Sequence, residues 1–162
     1  MNGTIAERLR HARRVHFDSM TLIYLIERHP SYGPVVREAF TLVDSGRCVG
    51  LSSFVTLLEV LVKPFRDGRA DLAQKYRDLL IGSRGFSLFP LDRRIAEDGA
   101  DIRARYGFRT PDAIQLATAV RHGADAFLTN DAKLKSFDQL EVLVLDDFGA
   151  PGSTSGVEVD DE

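Results

Sequence analysis

Arg14-Val-His-Phe-Asp-Ser-Met-Thr-Leu-Ile-Tyr-Leu-Ile-Glu27 decides the fold. Its first four residues, Arg14 to Phe17, include the β-branched Val15 and the aromatic Phe17, and read as a strand. From Ser19 to Arg28 the apolar residues Leu22, Ile23, Leu25 and Ile26 recur at helical spacing, and His29-Pro30 ends the run. Asp18 stands at the junction. A strand that turns directly into a helix places such a residue at the carboxyl end of a strand, where open parallel sheets bind their ligands.

The same alternation continues along the chain. A helix is predicted from Gly33 to Ser45, stopped by Gly46, then a strand from Arg47 to Leu51. Helices follow from Ser53 to Val62 and from Ala70 to Ile81, a strand from Gly85 to Phe89, and helices from Arg93 to Tyr106 and from Pro111 to His122. Strands from Ala126 to Thr129 and from Glu141 to Leu145 close the series. This pattern predicts an α/β protein, a three-layer α/β/α sandwich with a mainly parallel central sheet. The 162 residues suit one domain, expected over 14–148 after an extension over 1–13. The Gly/Ser/Pro-rich and acidic stretch 149–162 reads as a disordered tail.

A composition of 44% hydrophobic and 28% charged residues is that of a globular protein. The single cysteine, Cys48, excludes an internal disulfide and a multi-cysteine zinc site, and reads as a buried strand residue. His11, His16, His29 and His122 show no metal-ligand spacing and are read as surface or strand residues. With no secretory signal and no long apolar run free of charge, the expected location is cytoplasmic, without membrane contact. Six acids and no base lie between Asp146 and Glu162, so the overall charge of −3 leaves a body of +3. A mildly basic body permits a nucleic-acid partner without demonstrating one. The chain has no GxxxxGK loop, GxGxxG fingerprint or GxSxG elbow.

Four carboxylates remain as candidates. Asp18 follows the first strand and Asp131 follows Phe127-Leu-Thr-Asn130. Asp112 is expected at the second position of a helix, behind Thr110 as cap and Pro111. Glu59, within Phe54-Val-Thr-Leu-Leu-Glu-Val-Leu-Val62, is expected to be drawn inward by its apolar neighbours and to need a partner there. Taken singly, Asp18 and Asp131 also read as loop or cap residues, Asp112 as an acid at a helix N-terminus, and Glu59 as the partner of an arginine such as Arg93 or Arg103. Gathered on one sheet edge, the four repel unless cations neutralise them, and hard oxygen donors suit Mg2+ or Mn2+.

At these residues the chain resembles PIN-domain nucleases, especially the VapC-type toxins of toxin–antitoxin pairs. The blocks that carry the resemblance are Phe17-Asp-Ser-Met-Thr-Leu-Ile-Tyr-Leu-Ile-Glu27, Leu51-Ser-Ser-Phe-Val-Thr-Leu-Leu-Glu-Val60, Arg109-Thr-Pro-Asp-Ala-Ile-Gln-Leu-Ala-Thr118 and Phe127-Leu-Thr-Asn-Asp131. They stand in the family's order within about Arg14 to Asp147. By this resemblance Asp18, Glu59, Asp112 and Asp131 match the family's catalytic, metal-holding acids, and Thr129 and Asn130 match a supporting polar pair. Met20 departs from the asparagine common at its position, and the lead into the first strand is longer than usual.

The resemblance implies Mg2+- or Mn2+-dependent hydrolysis of RNA, a cognate antitoxin and a homodimer. Arg103, Arg105, Arg109, Lys133 and Lys135 are candidates for guiding RNA, the alternative for each being a solvated surface residue. An inhibitor would lie along Leu22, Ile26, Leu57 and Leu61. Two other readings stand beside this one. Asp18-Ser-Met-Thr21 after a strand is similar to the first motif of haloacid-dehalogenase-like phosphatases, but Met20 occupies the place of their general acid. A noncatalytic interaction domain with a metal-binding pocket is the third.

Overall fold

Along β1 (Arg14–Phe17) the side chains of Val15 and Phe17 turn to one face and that of His16 to the other, as the pleat requires. All three are fully buried, so both faces of this strand are covered. The computed structural model describes residues 3–149. In it β1 is the middle strand of a five-stranded, wholly parallel sheet of order β3-β2-β1-β4-β5, with β2 at Val49–Ser53, β3 at Phe86–Phe89, β4 at Ala126–Thr129 and β5 at Glu141–Val144. His16 is in register with Leu51 of β2 and Phe127 of β4.

Among the described residues seven α-helices connect and cover the strands: α1 (Ile5–Arg8), α2 (Ser19–Ile26), α3 (Gly33–Asp44), α4 (Phe54–Arg66), α5 (Ala70–Leu80), α6 (Arg93–Tyr106) and α7 (Thr110–Arg121). On the face of Val15 and Phe17 the core contains Val36 and Phe40 of α3 and Tyr76 and Leu80 of α5. On the opposite face Phe127 packs with Ile95 and Ile102 of α6 and Leu116 of α7. This is the three-layer sandwich, with each apolar helix stripe buried against one side of the sheet. Gly107, at φ 74°, closes α6 in the left-handed conformation and lets the chain turn into α7.

Several expected boundaries shift. The second strand runs to Ser53, whose hydroxyl accepts from the Val55 N–H and caps α4, and α4 continues through Pro64 to Arg66. Arg109, not Thr110, is the capping position of α7, so Thr110 is its first residue and Asp112 its third. Cys48 is buried but lies one residue before β2. Within the expected tail 149–162, everything from residue 150 onward lies outside the described residues. Among the described residues no helix is long and apolar enough to cross a membrane.

The stretch before residue 14 was not expected to form an element. It carries α1, whose Thr4 and Glu7 form a reciprocal capping box, and Ile5 and Leu9 are buried at 1% and 2% exposure in the Val15/Phe17 core. We therefore expect Ile5→Ala to lower the stability measured by urea unfolding by about 2–4 kcal/mol, the cost of emptying a packed aliphatic site. An unchanged unfolding curve would show that this segment is not part of the cooperative unit.

Candidate active site

Two adjacent strand ends define the site. Asp18 ends β1: its N–H donates to the Leu128 carbonyl at 3.2 Å, and its Oδ1 accepts from the Thr21 N–H at 3.1 Å, so it caps α2. Asp131 follows β4 and caps the 3-10 turn Ala132–Ser136, accepting from the Lys133 N–H at 3.0 Å. One hydroxyl ties the two together. Thr129 Oγ1 accepts from the Asp131 N–H at 3.1 Å and hydrogen-bonds the Asp18 carboxylate.

Asp112 enters from the first turn of α7, where the helix dipole favours an anion. Its ion pair with Arg109, 3.5 Å long on a mostly exposed arginine, is weak compensation. The carboxylates feel one another: burial, then the neighbouring Asp112 and Glu59, push Asp18 up to about 7, against the hydrogen bonds from Thr129 and Thr21. Burial likewise raises Asp112, opposed by Arg109 and reinforced by Asp131. Asp112 and Glu59 thus lie near enough to Asp18, and Asp131 near enough to Asp112, for their charges to be felt.

Glu59 reaches the site differently from the sequence expectation. It is exposed, and so are Phe54 (46%), Leu58 (66%) and Val62 (44%), apolar residues expected to bury it, which with Phe65 (60%) form a solvent-facing stripe on α4. Leu22, expected to line a partner groove, is fully buried, and Ile26, Leu57 and Leu61 pack against the core. What holds Glu59 is Ser19, whose hydroxyl donates to Oε1 at 2.9 Å.

Behind Ser19 lies a polar layer that sequence reading did not identify. Gln115 Nε2 donates to Thr56 Oγ1 at 2.6 Å, Gln115 Oε1 faces His16 Nε2 at 2.7 Å, and Ser52 Oγ donates to the Phe17 carbonyl at 2.7 Å while lying 2.8 Å from Thr56 Oγ1. His16, Ser52, Thr56 and Gln115 are all buried. Burial drives the His16 pKa down to about 3, so the ring is neutral. The available signal was Gln115 itself, a polar residue inside the apolar helical run Ala113 to Ala117.

Of the basic candidates, Arg109 and Lys133 lie near enough to act on Asp112. The other three are engaged elsewhere: Arg103 donates to the Phe108 carbonyl, Arg105 pairs with Asp101 one turn earlier, and Lys135 pairs with Asp147 at 2.6 Å.

Hard carboxylate oxygens clustered so that burial and like charge raise Asp18 fit a small divalent cation. The buried Asn130 Oδ1, beside Asp131, adds an acceptor with no hydrogen-bond partner among the described residues. Among those residues no group of three or more His, Cys, Asp or Glu side chains converges on one point.

By sequence, residues 15–140 match the PIN domain family. No curated protein matches the chain by sequence. Among solved structures, a toxin–antitoxin complex from Klebsiella pneumoniae contains a chain 25% identical, with TM-score 0.62, covering 81% of this chain and 97% of that one. VapBC2 from Rickettsia felis, bound to a promoter DNA fragment, aligns at 14% identity and TM-score 0.65, covering 81% and 98%. DNA-bound VapBC from Salmonella typhimurium aligns at 18% and 0.60, covering 82% and 98%. The last two likenesses concern the fold.

The raised Asp18 makes a signed stability prediction. A carboxyl whose pKa is higher folded than unfolded favours the fold at low pH and loses that contribution as pH rises from about 4 through about 7. In chelator-treated protein, Asp18→Asn keeps a helix cap and removes the charge, so its melting temperature should exceed that of the wild type by several degrees at pH 8 and by less at pH 5. An equal or lower melting temperature at pH 8 would contradict the crowding described for this carboxylate.

Proposed function

Because the chain belongs to the PIN domain family, we propose that it is a Mg2+- or Mn2+-dependent endoribonuclease, the toxin of a toxin–antitoxin pair. The observation that carries this reading is the burial of Asp18 just past the end of β1, with the like charges of Asp112 and Glu59 near enough to add to it, which together lift Asp18 to about 7. Such a site favours positive charge. Asp18, Glu59, Asp112 and Asp131 would hold the cation, and Thr129 and Ser19 orient two of these acids. When bound, the cation supplies Lewis-acid polarisation of the scissile phosphate and acidifies a water. Asp112 and Asp131 each have the chemistry to accept a hydrogen bond from the attacking water. Arg109 and Lys133, at the rim, offer charge to the RNA backbone.

The antitoxin reading draws support from the toxin–antitoxin complexes among the structural neighbours. On this chain the surface that suits such a partner is the exposed stripe of Phe54, Leu58, Val62 and Phe65, next to a cavity of about 330 Å3 between α2 and α4. Glu27 and Glu59 line that cavity together with Arg28 and Lys63, the last 3.7 Å from Glu27, so its charge is mixed and the apolar stripe is what a partner helix would cover. A homodimer belongs to the same proposal, and the same stripe is apolar area that a second copy would cover.

The test is incubation of purified protein with total RNA in Mn2+ or chelator, with end mapping, beside a phosphomonoester control. We expect Mn2+-dependent cuts, lost about a hundredfold or more in Asp18→Asn, Glu59→Gln and Asp112→Asn while each variant remains folded. Wild-type rates in the folded variants, or hydrolysis of the phosphomonoester alone, would sink the nuclease assignment. For the toxin role, expression without a partner should arrest growth, and Asp18→Asn should relieve the arrest. Harmless expression of active enzyme would instead point to a housekeeping nuclease.

A further inference from the structure

We propose that Ser19 and Gln115 are positioning residues, the site-facing end of a buried, proton-ordered chain from His16 that fixes the Ser19 hydroxyl as donor to Glu59. The proposal rests on Glu59 belonging to the metal-dependent nuclease site.

The order follows from counting hydrogens. Ser52 has one hydroxyl proton and gives it to the Phe17 carbonyl at 2.7 Å. Across the 2.8 Å contact between Ser52 and Thr56, the donor must then be Thr56. With its own proton committed, Thr56 Oγ1 can only accept from its other neighbours, and the amide nitrogen of Gln115 meets it at 2.6 Å. That orientation turns the Gln115 carbonyl oxygen to His16 Nε2, 2.7 Å away, which must therefore carry the ring proton. Nδ1 of the same ring is buried and unpartnered among the described residues, as expected of the unprotonated nitrogen. The ring itself is held by stacking on Phe127, with centroids 4.7 Å apart and planes 11° from parallel.

The second Gln115 N–H points at Ser19 Oγ from 3.4 Å. Ser19 has two possible acceptors, Thr56 at 3.1 Å and the Glu59 carboxylate at 2.9 Å. The charged acceptor is the stronger. The Ser19 proton thus goes to Glu59, while a Gln115 N–H approaches the same hydroxyl as donor. Glu59 needs this, because it is exposed on α4 and has three rotatable side-chain bonds that no other hydrogen bond among the described residues restrains.

A purely structural layer would serve stability alone, so the test reads the coupling to Glu59. Mn2+ binding to metal-free protein is measured by calorimetry for the wild type, Ser19→Ala, Ser19→Thr, Gln115→Leu, Glu59→Gln and the double variant Ser19→Ala/Glu59→Gln, with melting curves alongside. We expect Ser19→Ala and Gln115→Leu to weaken Mn2+ binding roughly tenfold, the usual effect of removing an outer partner of a metal ligand. Ser19→Thr should restore most of the loss. On the Glu59→Gln background Ser19→Ala should add nothing, the signature of two residues acting through one contact. RNA cleavage should show reduced kcat with KM nearly unchanged.

Should Gln115→Leu not fold, His16→Phe keeps a ring on Phe127 and removes only the donor to Gln115. Equal losses for Ser19→Ala in both backgrounds, or none in either, overturn the positioning role. Loss in Glu59→Gln with Ser19→Ala and Gln115→Leu matching the wild type overturns it while leaving the nuclease site standing. Wild-type binding and cleavage by Glu59→Gln would remove Glu59 from the site and both readings with it.

Discussion

The hydrogen bond from the Asp18 N–H to the Leu128 carbonyl carries the pairing of β1 and β4 one residue past the end of the central strand, and the site depends on it. Because both strands run the same way, their carboxyl ends coincide, and two acids that are distant in sequence become neighbours. Thr129 then spans them with a single hydroxyl. Helix α7 adds Asp112 from its first turn, and α4 brings Glu59 across from the far side of β1. A parallel sheet thus does at its edge what no local motif can do: it collects like charges that repel one another.

That collection works against the fold. A carboxylate held near others and out of water is less stable than the same group in the unfolded chain, which is why Asp18 holds its proton to higher pH than usual. The compensation lies beneath it, in a layer where Ser52, Thr56, Gln115 and His16 satisfy nearly every polar atom they bury. Partly satisfied, such a layer would be worse than an apolar core, whereas its near-complete pairing makes it rigid. Rigidity at that depth is what an exposed glutamate on an outer helix lacks by itself.

Much of this was legible in the residues. Strand ends at Phe17 and Thr129 were marked by the change from strand to helix or turn chemistry, so Asp18 and Asp131 could be placed on one edge. The β2–α4 boundary was not, because Leu51-Ser-Ser-Phe54 passes from strand to helix with no breaker. Glu59 was expected inside because its neighbours are apolar, but apolar residues are not always buried, and Leu58 and Phe54 face solvent with it. The contact between His16 and Gln115 joins residues 99 apart, beyond any spacing rule. The helix α1 did carry a signal, the Thr4-x-x-Glu7 box, but one turn is too short for periodicity to reveal.

The order of assembly follows from the sheet order 3-2-1-4-5. The strand at the centre, β1, is the first to leave the ribosome, yet one of its two edges stays unpaired until Ala126–Thr129 has been synthesised. Contacts of such long sequence separation form late and are slow to close. Until then Asp18 has no Leu128 carbonyl to hold its amide, no Thr129 hydroxyl and no Asp131 beside it. A growing chain therefore carries an incomplete acidic site until Asp112, Thr129 and Asp131 have been added. Whatever chemistry the finished protein performs is withheld from the ribosome that makes it until the fourth strand has emerged.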